Sequence, residues 1–171
     1  GLEMIRVTDD GEGIEADDVE TAFKRHATSK ITSREDLFRV ATLGFRGEAL
    51  PSIASVSDVV LMTAHAGDET GTTIHIKGGK IVSNDASQLR NGTQITVSDL
   101  FFNTPARLKY LSSLATELSH VSDIVNRLAL SHSDVAFVLK NNGKTLLKTA
   151  GNGNQKQTFS AIYGVKAAAK M

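Results

Sequence analysis

Asp9-Asp10-Gly11-Glu12-Gly13-Ile14 follows directly on an alternating segment, residues 4–8, so a strand delivers carboxylates and two glycines into a turn. Alone, the stretch reads as a plain Asp-Gly turn. Two further stretches follow in order, Arg25-His26-Ala27-Thr28-Ser29-Lys30 and Gly44-Phe45-Arg46-Gly47-Glu48-Ala49-Leu50. Together the three read as a nucleotide pocket. The first offers a carboxylate beside backbone bare enough for a flat base, and the others offer hydroxyls, cations and free amides for phosphates.

Each residue has a task in that reading. A carboxylate at Asp9 accepts a hydrogen bond from the exocyclic amine of adenine, which guanine lacks at that position, and its charge strengthens the bond. Gly11 and Gly13 let backbone approach the ring, where a side chain would fill the base's volume. Gly44, Phe45, Arg46 and Gly47 lead into a helix whose first amides have no internal partners. The N–H groups of Gly47, Glu48, Ala49 and Leu50 can wrap phosphates as a nest, with Arg46 adding charge or bracing the loop. Glu48 is read as capping its own helix or binding part of the loop, not as a general base. No Gly-Lys-Ser or Gly-Lys-Thr follows, so the loop is not a Walker A motif.

The remaining signals are weaker. Arg25 to Lys30 by itself fits a solvated basic helix end. Gly92-Thr93 opens a strand, and its hydroxyl can join Asp9 at the adenine. Arg107 and Lys109 are either a phosphate-facing patch for DNA or a solvated face. Gly11-x-Gly13-x-x-Ala16 touches the dinucleotide fingerprint, which needs an acidic residue ending a second strand about twenty residues on. Glu35 and Asp36 lie in helical sequence instead.

Composition sets the bounds. The chain has 171 residues, 40% of them apolar, enough for one domain or for one and part of a second. Nineteen Lys and Arg balance nineteen Asp and Glu, so any polyanion site is a local patch. The absence of cysteine excludes disulfides and thiolate chemistry. His26 completes a helix face, and His65, His75, His120 and His132 show no metal-ligand spacing. No apolar run is long enough to span a bilayer, and residues from Gly1 on lack the charged-then-apolar pattern of a signal peptide. Gly1 leads straight into a strand, so the natural chain is expected to begin upstream.

Periodicity predicts a helix capped by Asp17 or Asp18 with Val19, Ala22, Phe23 and His26 on one face. A loop over 27–33 and a short helix over 35–40 come next. A helix over 48–56 buries Leu50, Ile53, Ala54 and Val56, with Pro51 in its first turn. Strands are predicted over 59–64, 72–77, 80–83 and 92–99, with Gly78-Gly79 as a hairpin turn. Asn103 and Thr104 are placed to cap a helix opened by Pro105. A long helix follows on the stripe Leu114, Leu118, Val121, Val125 and Leu128. A second hairpin, over 135–140 and 144–148, turns at Asn142-Gly143, and a helix starts over 158–163.

These motifs, joined to Gly92-Thr93 and Phe102-Asn103-Thr104-Pro105-Ala106-Arg107, closely resemble the N-terminal part of the MutL DNA mismatch repair proteins, of the GHKL ATPase superfamily. The resemblance covers essentially the whole chain. It implies an α/β fold, a Bergerat-type two-layer sandwich of mixed sheet and helices over residues 1–132, followed by the start of an α/β transducer domain over 133–171. It implies ATP as ligand, with Asp9 reading adenine, Thr93 beside it, Thr28, Ser29 and Lys30 in a lid, and residues 46–50 as the phosphate loop. It further implies ATP-driven dimerisation, as a homodimer or with a paralogue, DNA clamping, and signalling to a mismatch-recognition protein and other repair partners. The location it implies is cytoplasmic and nucleoid-associated in a bacterium, nuclear in a eukaryote.

The chain departs from the family's pattern in places. Asp10 stands where Asn is common. The family's catalytic glutamate and its Mg2+-holding asparagine lie upstream of the Asp-Gly strand, and the transducer lysine beyond Met171. Residues 1–171 are therefore expected to hold the middle of an ATP site without its base or metal ligand, and to lack turnover. Two alternatives stand beside this reading: a non-catalytic nucleotide-switched clamp for DNA or protein, and another GHKL machine such as a topoisomerase subunit.

Overall fold

The computed structural model describes residues 3–25 and 48–170. The expected loop over 27–33 and helix over 35–40 lie outside them. The alternating segments become a sheet of five strands: β1 (Met4–Asp9), β2 (Asp58–Ala64), β3 (Gly71–Lys77), β4 (Lys80–Ser87) and β5 (Gly92–Ser98), in the order β1-β5-β2-β3-β4. Every pairing among the described residues is antiparallel. β4 runs four residues past its predicted end, because Asn84, Asp85 and Ala86 keep their ladder partners on β3.

One face of the sheet carries the core. Val59, Leu61, Ile74 and Ile76 are buried there against Val19 and Ala54, and Ile14, Phe23, Ile95 and Val97 pack around them. Burying each large aliphatic side chain contributes about 1.5–3 kcal/mol. The opposite face is polar: Arg6 donates to Thr96, Thr8 to Gln94, and His75 Nε2 meets Asp58 Oδ1 at 2.6 Å. A sheet apolar on one side takes one helical layer, which makes the two-layer α/β sandwich.

That layer differs in detail from the predicted one. Instead of a helix from Asp17 or Asp18, two single 3-10 turns form, Ala16–Asp18 and Thr21–Phe23. No side chain caps either turn, and Lys24 goes extended, ending the run before a third. The inward phase holds at Val19, which is fully buried, and at Ala22 and Phe23, which are half-buried, while His26 lies outside the described residues. α1 (Ala49–Ser55) follows the predicted phase at Ala54, while Ile53 stays exposed. α2 (Pro105–Lys109) is a single short helix.

The chain divides into two compact units, the first ending at Tyr110 and the second running from Leu111. The second contains α3 (Leu114–Ser131), the hairpin β6 (Val138–Asn141) and β7 (Lys144–Lys148), α4 (Gln155–Tyr163) and α5 (Val165–Ala168). Ser113 caps α3 by accepting from the Thr116 N–H, and Asn154 caps α4 through Gln157. Few side chains in this unit are fully enclosed, chiefly Ala129, Leu147, Thr149 and Thr158.

Candidate nucleotide site

β1 lies at the sheet edge against β5, and this pairing makes Asp9 and Thr93 register partners although they are distant in sequence. Asp9 is the last residue of β1, where the strand gives way to the Gly11-Glu12-Gly13 loop. Its carboxylate is held by one oxygen. Oδ1 accepts from the Gly11 N–H at 2.9 Å, closing an Asx turn, and from the Thr93 N–H at 3.3 Å. Oδ2 has no partner among the described residues, and Asp9 is exposed. An oriented carboxylate with one spare acceptor oxygen fits an exocyclic amine.

Behind Asp9 runs a line of hydroxyls. Thr93 is 8% exposed and its Oγ1 lies 2.8 Å from Thr63 Oγ1. Thr63 is fully buried and accepts from the Ile14 N–H at 2.9 Å. The loop is thus pinned at both ends, at Gly11 by Asp9 and at Ile14 by Thr63. A cavity of about 290 Å³ opens beside it, lined by Gly11, Glu12, Ala64, His65 and Arg90 among others.

Gly13 corrects its expected role. It sits at φ +76°, and a Cβ there would stand 2.0 Å from the Ala64 carbonyl oxygen. The protein's own backbone, not a base, occupies the space a side chain would take. Gly92, at φ +77°, would likewise drive a Cβ to 2.1 Å from the Asp9 carbonyl oxygen. At Gly11 a Cβ would meet Asp9 Oδ1 at 3.1 Å, pressing on the carboxylate itself.

Glu48, Ala49 and Leu50 open α1, which is only seven residues long. Glu48 occupies the cap position, but its side chain makes no cap bond, which removes the capping alternative and leaves the loop-binding one, whose loop lies outside the described residues; its carbonyl accepts from the Ser52 N–H at 3.1 Å. The far end of α1 is held tightly. The Ala54 carbonyl accepts from Gly79 N–H at 2.8 Å, Val56 from Phe101 N–H at 2.7 Å, and Ser57 from Gly78 N–H at 3.0 Å. Asn103 Nδ2 donates to the Ser55 carbonyl at 2.9 Å. Asn103 therefore fastens α1 and does not cap α2. Thr104 stands at the α2 cap position without a cap bond, its Oγ1 buried and without a partner among the described residues.

Thr28, Ser29, Lys30, Gly44, Phe45, Arg46 and Gly47 lie outside the described residues. Arg107 and Lys109 sit exposed in the last turn of α2, with the Arg107 guanidinium 5.9 Å from the Phe101 ring centroid. Among the described residues no group of three His, Asp or Glu side chains is placed to hold a metal ion. Sequence reading missed Thr63 and the clamp made by Asn103. Thr63 had a signal: it is a hydroxyl residue on the inward phase set by Val59 and Leu61.

No family model matches the chain. It is 71% identical over 95% of its length to the DNA mismatch repair protein MutL of Ligilactobacillus salivarius, covering 25% of that protein. It is 62% identical over its whole length to the MutL of Pediococcus pentosaceus, covering 26% of it. The chain thus spans about a quarter of the length of these curated relatives. Its structure superposes on the Aquifex aeolicus MutL ATPase domain complexed with ADP at a TM-score of 0.77 and 29% identity, covering 94% of this chain and 57% of that one. A two-layer sandwich whose edge strand ends in Asp9-x-Gly11-x-Gly13 beside Gly92-Thr93 has the Bergerat-type fold of GHKL ATPase domains. Within that class, the chain belongs to the MutL family of DNA mismatch repair proteins.

Proposed function

We propose that this chain supplies the base-reading part of an ATP site, and that the whole protein binds and slowly hydrolyses ATP in mismatch repair. The observation that carries the proposal is the Asp9 carboxylate, oriented through Oδ1 by two backbone N–H groups and left with Oδ2 open. A charge-assisted bond from that oxygen to the adenine amine discriminates against guanine, which offers a carbonyl there. Thr93 completes the base contact. Thr28, Ser29 and Lys30 act as the lid, and residues 44–50 cradle the phosphates, as the resemblance implies. Residues 1–132 are proposed as the nucleotide-binding domain and 133–171 as the opening of the transducer.

In the whole protein, ATP binding is proposed to drive dimerisation of this region and clamping on DNA, with signalling to repair partners. Magnesium enters as a cofactor of the whole protein, and the hydrolytic base as a residue outside this chain. Among the described residues no helix is long and apolar enough to cross a membrane.

Asp9→Asn tests the assignment because the amide retains Oδ1 but turns an N–H2 donor toward the amine. ATP affinity measured by calorimetry on the full-length protein should fall about tenfold to a hundredfold, with little change in the unfolding midpoint. Unaltered ATP affinity would overturn the assignment.

A further inference from the structure

The hydroxyl pair behind Asp9 has a direction. Thr63 is fully buried on β2, and its Oγ1 already accepts from the Ile14 N–H at 2.9 Å. Its own hydrogen needs an acceptor, and the one available among the described residues is Thr93 Oγ1 at 2.8 Å. Were the bond reversed, the Thr63 hydrogen would be enclosed without a partner, an arrangement that proteins avoid because a buried unpaired donor is costly. Thr93 is the less enclosed of the two, 8% exposed against 0%, and stands beside Asp9 in register. The bonds therefore run from Ile14 N–H to Thr63, then from Thr63 O–H to Thr93, leaving the Thr93 hydrogen to point onward.

We infer that Thr63 is a positioning residue that fixes the polarity of the Thr93 hydroxyl, so that the base site presents a donor beside the acceptor Oδ2 of Asp9. This rests on the base-reading assignment above and goes beyond it. A donor and an acceptor side by side select a six-membered ring edge carrying an amine next to an unprotonated ring nitrogen. Adenine has that pair at its amine and N1, whereas guanine and hypoxanthine carry a carbonyl and a protonated N1. Specificity then resides in two separable contacts, one made by Asp9 and one set by Thr63 through Thr93.

The test compares ATP with 1-deaza-ATP, which keeps the amine but replaces N1 by C–H, on the full-length protein. The wild type is expected to bind 1-deaza-ATP about fivefold to tenfold more weakly, the loss of one hydrogen bond. In Thr63→Val the two ligands should bind within about twofold of each other, and Thr63→Ser should restore the discrimination. Because the readout is a ratio within one variant, a general loss of stability in Thr63→Val moves both affinities together and leaves it interpretable. If Thr63→Val retains the wild-type ratio, or if the wild type shows none, the inference about Thr63 is overturned. Asp9→Asn run in parallel separates the cases: its weakening of ATP alongside an unchanged Thr63→Val ratio defeats the inference alone, whereas no effect of Asp9→Asn defeats the base assignment as well.

Discussion

Gly13 and Gly143 have nearly the same backbone conformation, φ +76° and +78°, and differ in what surrounds them. A Cβ on Gly143 meets nothing within 4 Å, while on Gly13 it would stand 2.0 Å from the Ala64 carbonyl. Alanine at Gly143 should therefore cost only the left-handed strain, about 1–2 kcal/mol. At Gly13 the collision adds to that strain, for a total of about 2–5 kcal/mol. Denaturant midpoints of the two variants should differ in this order, and equal losses would show that the loop yields freely. The sequence makes Gly143 legible, because Asn-Gly between two apolar runs specifies a turn with positive φ, and Asn142 takes it at φ +48°. It leaves Gly13 half-read: the need for glycine is visible, but the carbonyl that imposes it comes from β2, about fifty residues away.

At the scale of elements, α1 is too short to be stable on its own and is held by what its last carbonyls reach. Two segments answer them, the Gly78-Gly79 turn and the loop carrying Phe101 and Asn103. That loop carries Asp99 at φ +51° and Phe101 at φ +66°, conformations non-glycine residues hold only where the surroundings enforce them. Asn103→Ala removes the bond to the Ser55 carbonyl and should lower stability by about 1 kcal/mol, measured by chemical denaturation. A loss below the error of the measurement would show that the bond is replaced by solvent. Strands were readable from period-two alternation in nearly every case, since one face of the sheet is buried and the other polar. The helical layer was less readable. A single buried side chain, Val19, is compatible with a full helix or with two 3-10 turns, and the cap expected of Asp17 or Asp18 does not form.

For the whole molecule, zero net charge confines the proposed DNA binding to local patches, and α2 is the candidate within the described residues. Arg107 lies over the Phe101 ring and Lys109 is exposed one turn end away, so both cations remain near solvent. In the full-length protein, Arg107→Ala should weaken DNA retention at low salt and reduce the slope of log affinity against log salt by about one. An unchanged slope would assign these residues to a solvated face. Pairing across the sheet, not proximity in the chain, assembles the base site: β1 reaches β5 only because the strand order skips three intervening strands. That order could not be read from periodicity, which identifies strands but not neighbours. The association of Asp9 with Thr93 was reachable from their shared chemistry at an adenine and from the family resemblance, not from periodicity.

The proposed reading of the ATP base by Asp9 is open to direct measurement. A crystal structure of the full-length protein with a non-hydrolysable ATP analogue measures this directly, through the distance from Asp9 Oδ2 to the exocyclic nitrogen of adenine. The expected distance is about 2.8–3.0 Å, with the phosphates against residues 44–50. A base bound elsewhere, with Asp9 facing water, would contradict it.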